Sequence, residues 1–372
     1  VVASGPIVNQ VTAQAFCIPT DAPEADGTIS WDSTTVVVVT ASAAGQSGLG
    51  YTYSAASVPA IVIDVLAPLV VGKDAFSIPK HWAEMVRAVR NIGWRGLCAT
   101  AISAVDTALW DLKARILDLP LASLFGCERL EVPIYGSGGF TSYSDERVRD
   151  QLAAWVEQDG CRFVKMKIGT HPADDLSRIR VARQAIGDAE LFVDANGAFS
   201  RKQALWFAER FPTFGISWFE EPVSSDDLEG LRLLRDRAPP GIDIAAGEYG
   251  HEPFYFRRMI EAGAVDVLQA DVTRCCGFTG FIRAAALCDA YALPLSCHCA
   301  PALHLHAACA IPRLRHLEWF HDHVRIEHML FDGAPVPSGG VIRPDLTRPG
   351  HGLVFKSADA ERFLLRPAGE SP

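Results

Sequence analysis

FVKMKIG, residues 163–169, carries two lysines separated by a single methionine. Side chains alternate faces along a β-strand, so Lys165 and Lys167 share one face and Met166 takes the other. Two ammonium groups side by side repel. With some desolvation, that repulsion is expected to lower a lysine pKa toward the range in which the amine acts as a base. A KxK run alone would equally suit a solvated edge strand. The residues on either side of it point elsewhere.

From residue 127 onward, short apolar strands alternate with helical stretches. Strands are expected at 132–135, 163–167, 191–194, 217–220, 243–246, 265–269, 293–296 and 316–318. Helices are expected between them at 145–159, 175–186, 200–211, 226–237, 251–262, 277–291 and 302–310. This α/β rhythm of eight strands and seven helices describes a β/α barrel. The alternative is an open doubly wound sheet, which would want a phosphate-binding glycine turn after its first strand. GSGGFT at 136–141 lacks the third glycine of that turn and is a strand-end loop instead.

Upstream, residues 7–18 and 33–40 suit strands, with a Pro/Asp/Gly-rich loop at 19–31 between them. Residues 45–48 suit a hairpin turn, and 50–53 lead out of the next strand. From 58 to 124 the pattern turns helical, with Ile102, Val105, Leu109 and Leu112 about one turn apart. An antiparallel meander followed by helices indicates a separate α+β domain, residues 1–126. Residues 127–320 make the barrel. The Pro- and Gly-rich segment 321–372 is expected to run back onto the first domain.

Composition sets outer limits. Of 372 residues, 49% are hydrophobic and 21% charged, an ordinary globular balance. The net charge of −10 argues against nucleic acid and against an anionic membrane, though not against a small anion held by local cations. The apolar run 58–71 is broken by Asp64 and two prolines, too interrupted to span a bilayer. No basic flank followed by an apolar core and a cleavage site opens the chain, so no targeting segment is expected. Ten cysteines, including the adjacent pair Cys275 and Cys276, suit a reduced, cytoplasmic protein better than a disulfide framework.

The C-terminal ends of barrel strands form the floor of an active site. Here the second strand ends in Lys165 and Lys167, and the third in Asp194-Ala195-Asn196. The fourth ends in Glu220-Glu221, the fifth in Glu248, the sixth in Asp271, the seventh in His298 and the eighth in Glu318. Each has an ordinary structural explanation alone: a helix cap, a solvated charge, a satisfied core histidine. Seven consecutive strands delivering ionisable groups to one mouth is a site. Asp194, Glu220 and Glu248 make a hard all-oxygen cluster suited to Mg²⁺, whereas zinc would prefer His and Cys. In Cys297-His298-Cys299 a regular strand would turn the cysteines away from His298, so the three could not share one ion. The HxH pairs at 304–306 and 321–323 are weaker metal candidates, and His321 is the more interesting because it directly follows the eighth strand. A cation opposite Lys167 and His298 is a proton-abstraction layout. It makes the α-proton of a bound carboxylate more acidic, and either side chain can act as base or acid. Asp271 would hold the imidazole tautomer.

These residues resemble the enolase superfamily, in its mandelate racemase subgroup. The resemblance spans nearly the whole chain and rests on KMK at 165–167, VDAN at 193–196, WFEEP at 218–222, AGE at 246–248, Asp271, SCH at 296–298 and LEW at 317–319. It implies a modified (β/α)7β TIM-type barrel under an N-terminal α+β capping domain completed by the C-terminal segment. It also implies one Mg²⁺ on Asp194, Glu220 and Glu248, with Lys167 and the His298–Asp271 pair as the two acid/base groups. Lys165 would lie against the substrate carboxylate. Glu318 would be protonated and donate a hydrogen bond to the enediolate. Asn196 would be a polar contact, and Glu221 structural. The cap would close through two loops, 19–31 and 48–53, with Trp31, Tyr51, Tyr53 and His321 as substrate-binding candidates. Phe140, Tyr143, Trp319, Phe320 and His323 are further pocket candidates.

The implied chemistry is α-proton abstraction. Its commonest outcome is dehydration of an acid sugar to a 2-keto-3-deoxy acid. Racemisation or epimerisation of a 2-hydroxy acid is the alternative, and lactone cycloisomerisation a third. From other classes, a metal-dependent hydrolase would want an HxH on the first barrel strand, which is missing, and a non-catalytic binding protein would have a broken site. The expected partners are a small sugar-acid carboxylate and further copies of the chain in a homo-oligomer.

Overall fold

The computed structural model describes residues 5–365. Three antiparallel strands open the chain in the order β1 (Gln10–Ala25), β2 (Ser30–Ala43) and β3 (Gln46–Tyr53). The valine run of β2 shows why this sheet is covered on both faces. Val37 and Val39 pack with the helix Leu97–Ile116, while Val36 and Val38 join the core shared with the barrel. On β3 the same alternation turns Leu49 and Tyr51 to the barrel side and Gly48 and Gly50 to the helix. A Cβ on Gly50 would lie 2.2 Å from the Ala104 carbonyl oxygen, and one on Gly48 equally close to that of Ala108. Neither contact can relax without moving backbone. Gly50→Ala is therefore expected to destabilise the fold by about 1–3 kcal/mol, read as a fall in Tm.

Eight parallel strands follow: β4 (Val132–Gly138), β5 (Phe163–Lys167), β6 (Glu190–Asp194), β7 (Ile216–Glu220), β8 (Asp243–Ala246), β9 (Val267–Ala270), β10 (Leu295–Cys297) and β11 (Leu314–Phe320). Each pairs with the next, and β11 pairs with β4, so the ring is closed. That closure rules out the open doubly wound sheet. Seven helices fill the connections, from Asp145–Glu157 to Pro301–Ala308.

Period two also explains the inside of the ring. Tyr135, Phe192, Trp218, Ala245 and Val267 form a buried cluster, with Phe163 packed against it. Phe192 stacks on Trp218 at 5.1 Å and on Phe163 at 5.5 Å. The imidazole of His316 sits among these rings. Two residues further along each of these strands come Lys165, Asp194, Glu220 and Glu318. An aromatic plug therefore underlies a layer of charge.

The C-terminal segment touches both units. Val341–Ile342 adds an antiparallel strand to β4, and the Leu365 amide donates to the Ala15 carbonyl at 2.8 Å. His351 bonds the Leu49 carbonyl at 2.8 Å.

Two expectations about the cap need correction. Residues 19–31 are not a free loop. β1 runs on to Ala25 with a register shift between Pro19 and Glu24, and β2 starts at Ser30. Only Asp26–Ile29 is left as a tip, tied by Asp26 Oδ1, which accepts from the amides of Thr28 (2.6 Å) and Ile29 (2.8 Å). Residues 48–53 are likewise strand rather than loop. Among the described residues no helix is long and apolar enough to cross a membrane.

Candidate active site

The strand ends converge as the alternation requires. Carboxylate oxygens of Asp194, Glu220 and Glu248 all lie within 4.8 Å of one another, and all three side chains are buried. Glu220 Oε2 accepts from Trp218 Nε1 at 2.9 Å, so the plug orients a member of the trio. Asp194 Oδ1 accepts from the Asn196 amide at 2.8 Å. Burial and the neighbouring Asp194 push Glu220 up to about 8. Glu248 Oε2 is buried without a hydrogen-bond partner. Crowded buried carboxylates and an orphaned acceptor are what a divalent cation would relieve, and three hard oxygens fit Mg²⁺.

The lysines compete for the same oxygens. Lys165 is fully buried, with Nζ 2.6 Å from Glu220 Oε1, 2.8 Å from Glu318 Oε1 and 3.6 Å from Asp194 Oδ2. Lys167 Nζ reaches Asp194 Oδ2 at 2.5 Å. Burial disfavours both charges, but Glu220 and Glu318 hold the Lys165 pKa well above the ordinary lysine range, and Asp194 does the same for Lys167. Here the carboxylates outnumber the lysines, and their attraction, which an ion on Asp194 and Glu220 would weaken, outweighs the expected depression by mutual repulsion. Lys165 is also sealed below the cavity, so in this arrangement it does not meet the expected substrate carboxylate.

His298 Nδ1 bonds Asp271 Oδ2 at 2.8 Å, while Asp271 Oδ1 accepts from both the amide and the hydroxyl of Thr273 at 2.7 Å. Burial opposes charge on His298, yet Glu248, Asp271 and Glu318 raise its pKa above the ordinary value against the pull of Arg274. Its Nε2 lies 3.3 Å from Glu248 Oε2. Lys167 and His298 thus attend opposite members of the trio, Asp194 and Glu248.

Glu318 departs from expectation. Burial alone would raise its carboxyl, but Lys165, His298 and Lys167 hold it well below the usual range. Its oxygens accept from Ser137 Oγ at 2.6 Å and the Cys299 amide at 2.9 Å. These neighbours favour its anion, against the protonated donor expected.

A cavity of about 320 Å³ lies over this layer. Lys167, Asn196, Glu248 and His298 line it from the barrel, and Trp31 and Tyr53 from the cap. Phe320 and His323 line it too, and the Tyr53 ring stacks on His323 at 3.4 Å. Tyr51 does not reach it. Fully buried, Tyr51 donates to Glu327 Oε1 at 2.6 Å and stacks on Phe331. His321 is outside as well, 3.2 Å from Asp21 Oδ2. A helix begins at His321, and on a helix residues two apart face away from each other, so His323 turns inward instead.

Four features escaped the sequence. Arg274 contacts Glu248 Oε1 at 3.2 Å and lies 3.6 Å from Asp271 Oδ2, linking the trio to the histidine pair. Ser137 supports Glu318 from a strand end dismissed as a loop. Glu221 is buried at positive φ (37°), and burial with three nearby carboxylates raises its pKa well above the usual range. Cys299 leaves the strand at φ 51°, which breaks the alternation and swings its Sγ to 3.3 Å from His298 Nε2.

The sequence of this ring matches known proteins along its length. Residues 12–126 match the model of the mandelate racemase / muconate lactonizing enzyme N-terminal domain, and residues 147–360 match the enolase C-terminal domain-like model. The chain belongs to the mandelate racemase/muconate lactonizing enzyme family. A mandelate racemase/muconate lactonizing enzyme-like protein from Rubrobacter xylanophilus superposes with a TM-score of 0.94 at 52% identity, over 97% of this chain and 100% of that one. The 3,6-anhydro-α-L-galactonate cycloisomerase of Streptomyces coelicolor is 34% identical over 326 residues, 86% of this chain and 87% of the relative. The L-talarate/galactarate dehydratase of Salmonella typhimurium LT2, solved with Mg and L-lyxarohydroxamate, gives a TM-score of 0.89 at 26% identity, covering 97% and 94%. This family member therefore shares the capped (β/α)7β barrel of its relatives.

Proposed function

We propose that the chain is an Mg²⁺-dependent hydro-lyase that removes the α-proton of an acid-sugar carboxylate and expels the β-hydroxyl, giving a 2-keto-3-deoxy acid. The observation that carries this reading is the flanking of a buried three-carboxylate trio by an ammonium at one end and a carboxylate-oriented imidazole at the other. Asp194, Glu220 and Glu248 would hold the ion, which when bound supplies positive charge to neutralise the enediolate. Lys167 takes the α-proton as the neutral amine, a state that an ion on Asp194 would favour by weakening the attraction that keeps this lysine protonated. His298, oriented by Asp271, donates a proton to the departing hydroxyl. Lys165 joins Glu220 to Glu318 as a positioning residue. Asn196, Trp31 and Tyr53 wall the cavity and exclude water. Ten free cysteines suit a reducing, cytoplasmic setting.

The test is a panel of acid sugars with Mg²⁺, assayed for semicarbazide-reactive ketoacid and for solvent deuterium at the α-carbon. Optical-rotation change without ketoacid would move the assignment to a racemase. Neither signal from any substrate would leave a binding protein. A ring opened or formed with α-carbon exchange but no loss of water would favour cycloisomerisation, the activity named for the Streptomyces relative.

The pH dependence follows from the same geometry. Acting as an acid, His298 must carry a proton, so activity falls as pH rises through its pKa. Asp271→Asn removes one of the carboxylates that raise that pKa. The alkaline limb of kcat/KM is expected to move to lower pH; an unmoved limb would separate Asp271 from the acid step.

A further inference from the structure

Cys299 has no part in the chemistry just described, yet its thiol lies against His298 and Glu318, which do. Cys299 Sγ lies 3.3 Å from His298 Nε2 and 3.4 Å from Glu318 Oε2, and those two atoms are 3.8 Å apart. A tetrahedral zinc ion, with bonds of about 2.0–2.3 Å, sets its ligand atoms roughly 3.3–3.7 Å from one another. Two of the three separations fall in that range and the third, between His298 and Glu318, exceeds it by about 0.1 Å, so a small side-chain shift completes one face of such a tetrahedron. Their chemistry, one nitrogen, one sulfur and one oxygen, is softer than the all-oxygen trio next to them and selects a different metal. The site also has an approach, because His298 and Cys299 both line the cavity.

We propose that His298, Cys299 and Glu318 form a second cation site that captures Zn²⁺ and similar thiophilic divalent ions. Nδ1 of His298 keeps its hydrogen bond to Asp271, which presents Nε2 to the metal, the usual support for a ligating histidine. The Cys299 S–H bond breaks, its proton passes to solvent and an S–Zn bond forms, with no change of oxidation state. Water from the cavity completes the fourth position. The Cys299 amide can stay on Glu318 Oε2, since a carboxylate oxygen has a second lone pair. Capture takes His298 Nε2 out of proton transfer and so shuts off turnover. That last consequence rests on the role given to His298 above; the binding does not.

The test uses the Mg²⁺-saturated protein carrying Cys127→Ser, because that thiol is exposed. Cd²⁺ titration is expected to give a thiolate-to-metal absorption band saturating at one equivalent, and Zn²⁺ to inhibit despite excess Mg²⁺. Adding Cys299→Ser should remove the band and raise the inhibiting Zn²⁺ concentration roughly tenfold or more. A band and inhibition both indifferent to Cys299→Ser would overturn the site. Should that variant fail to fold, anomalous diffraction from zinc-soaked crystals of the parent still decides. A peak at bonding distance from Cys299 Sγ supports the proposal, and peaks confined to the carboxylate trio end it. A band with undiminished turnover would uphold the site and refute the role of His298.

Discussion

Glu220→Gln is expected to abolish Mg²⁺-dependent turnover, by at least about a hundredfold, while leaving the protein folded. The amide keeps the shape of the side chain and can still accept from Trp218 Nε1, but it removes one of three charges that would grip the ion. Folding should survive because burial and Asp194 already disfavour the charge on this carboxyl. Lys165 retains Glu318 at 2.8 Å as a partner. Ketoacid production at saturating Mg²⁺, together with calorimetric titration of the ion, checks both halves. Wild-type rates would take Glu220 out of the ligand set.

His298→Asn is expected to stop overall dehydration, by about 10²–10⁴-fold, without stopping α-proton exchange. Asparagine can hold a hydrogen bond to Asp271, yet it cannot give a proton to a leaving hydroxyl. Lys167 sits at the other end of the trio, against Asp194, and should still exchange the α-proton of a substrate epimer that presents it there. Deuterium uptake by NMR alongside a ketoacid assay separates the two steps. Normal dehydration by this variant would show that the acid lies elsewhere.

Much of this geometry is legible from alternation alone. Once FVKMK is a strand, Lys165 and Lys167 must face the same way, and the ionisable residues ending the neighbouring strands must meet them. The same rule places an aromatic or imidazole ring two residues before Lys165, Asp194, Glu220 and Glu318. What stayed hidden depends on departures from regularity or on many-body charge. The turn at Cys299 needs a left-handed backbone that a cysteine does not advertise, and Arg274 follows a strand end by three residues with no periodicity to aim it. Pro19 and the acidic residues after it suggested a loop because a strand carrying a register shift loses its two-residue period. The ionisation of Glu318 and the lysines could not be judged from pairs, since each sits among several opposite charges and the sum sets the sign.

The ring of Phe163, Phe192, Trp218 and Tyr135 makes this barrel a cup and not a tube. The plug fills the base, so the cavity is approached from the rim, past Trp31 and Tyr53. In the proposed dehydration, the expelled water, the keto product and the next sugar acid share that approach. Asp26 and Ile29 line that approach, so whatever enters or leaves passes the Asp26–Ile29 tip.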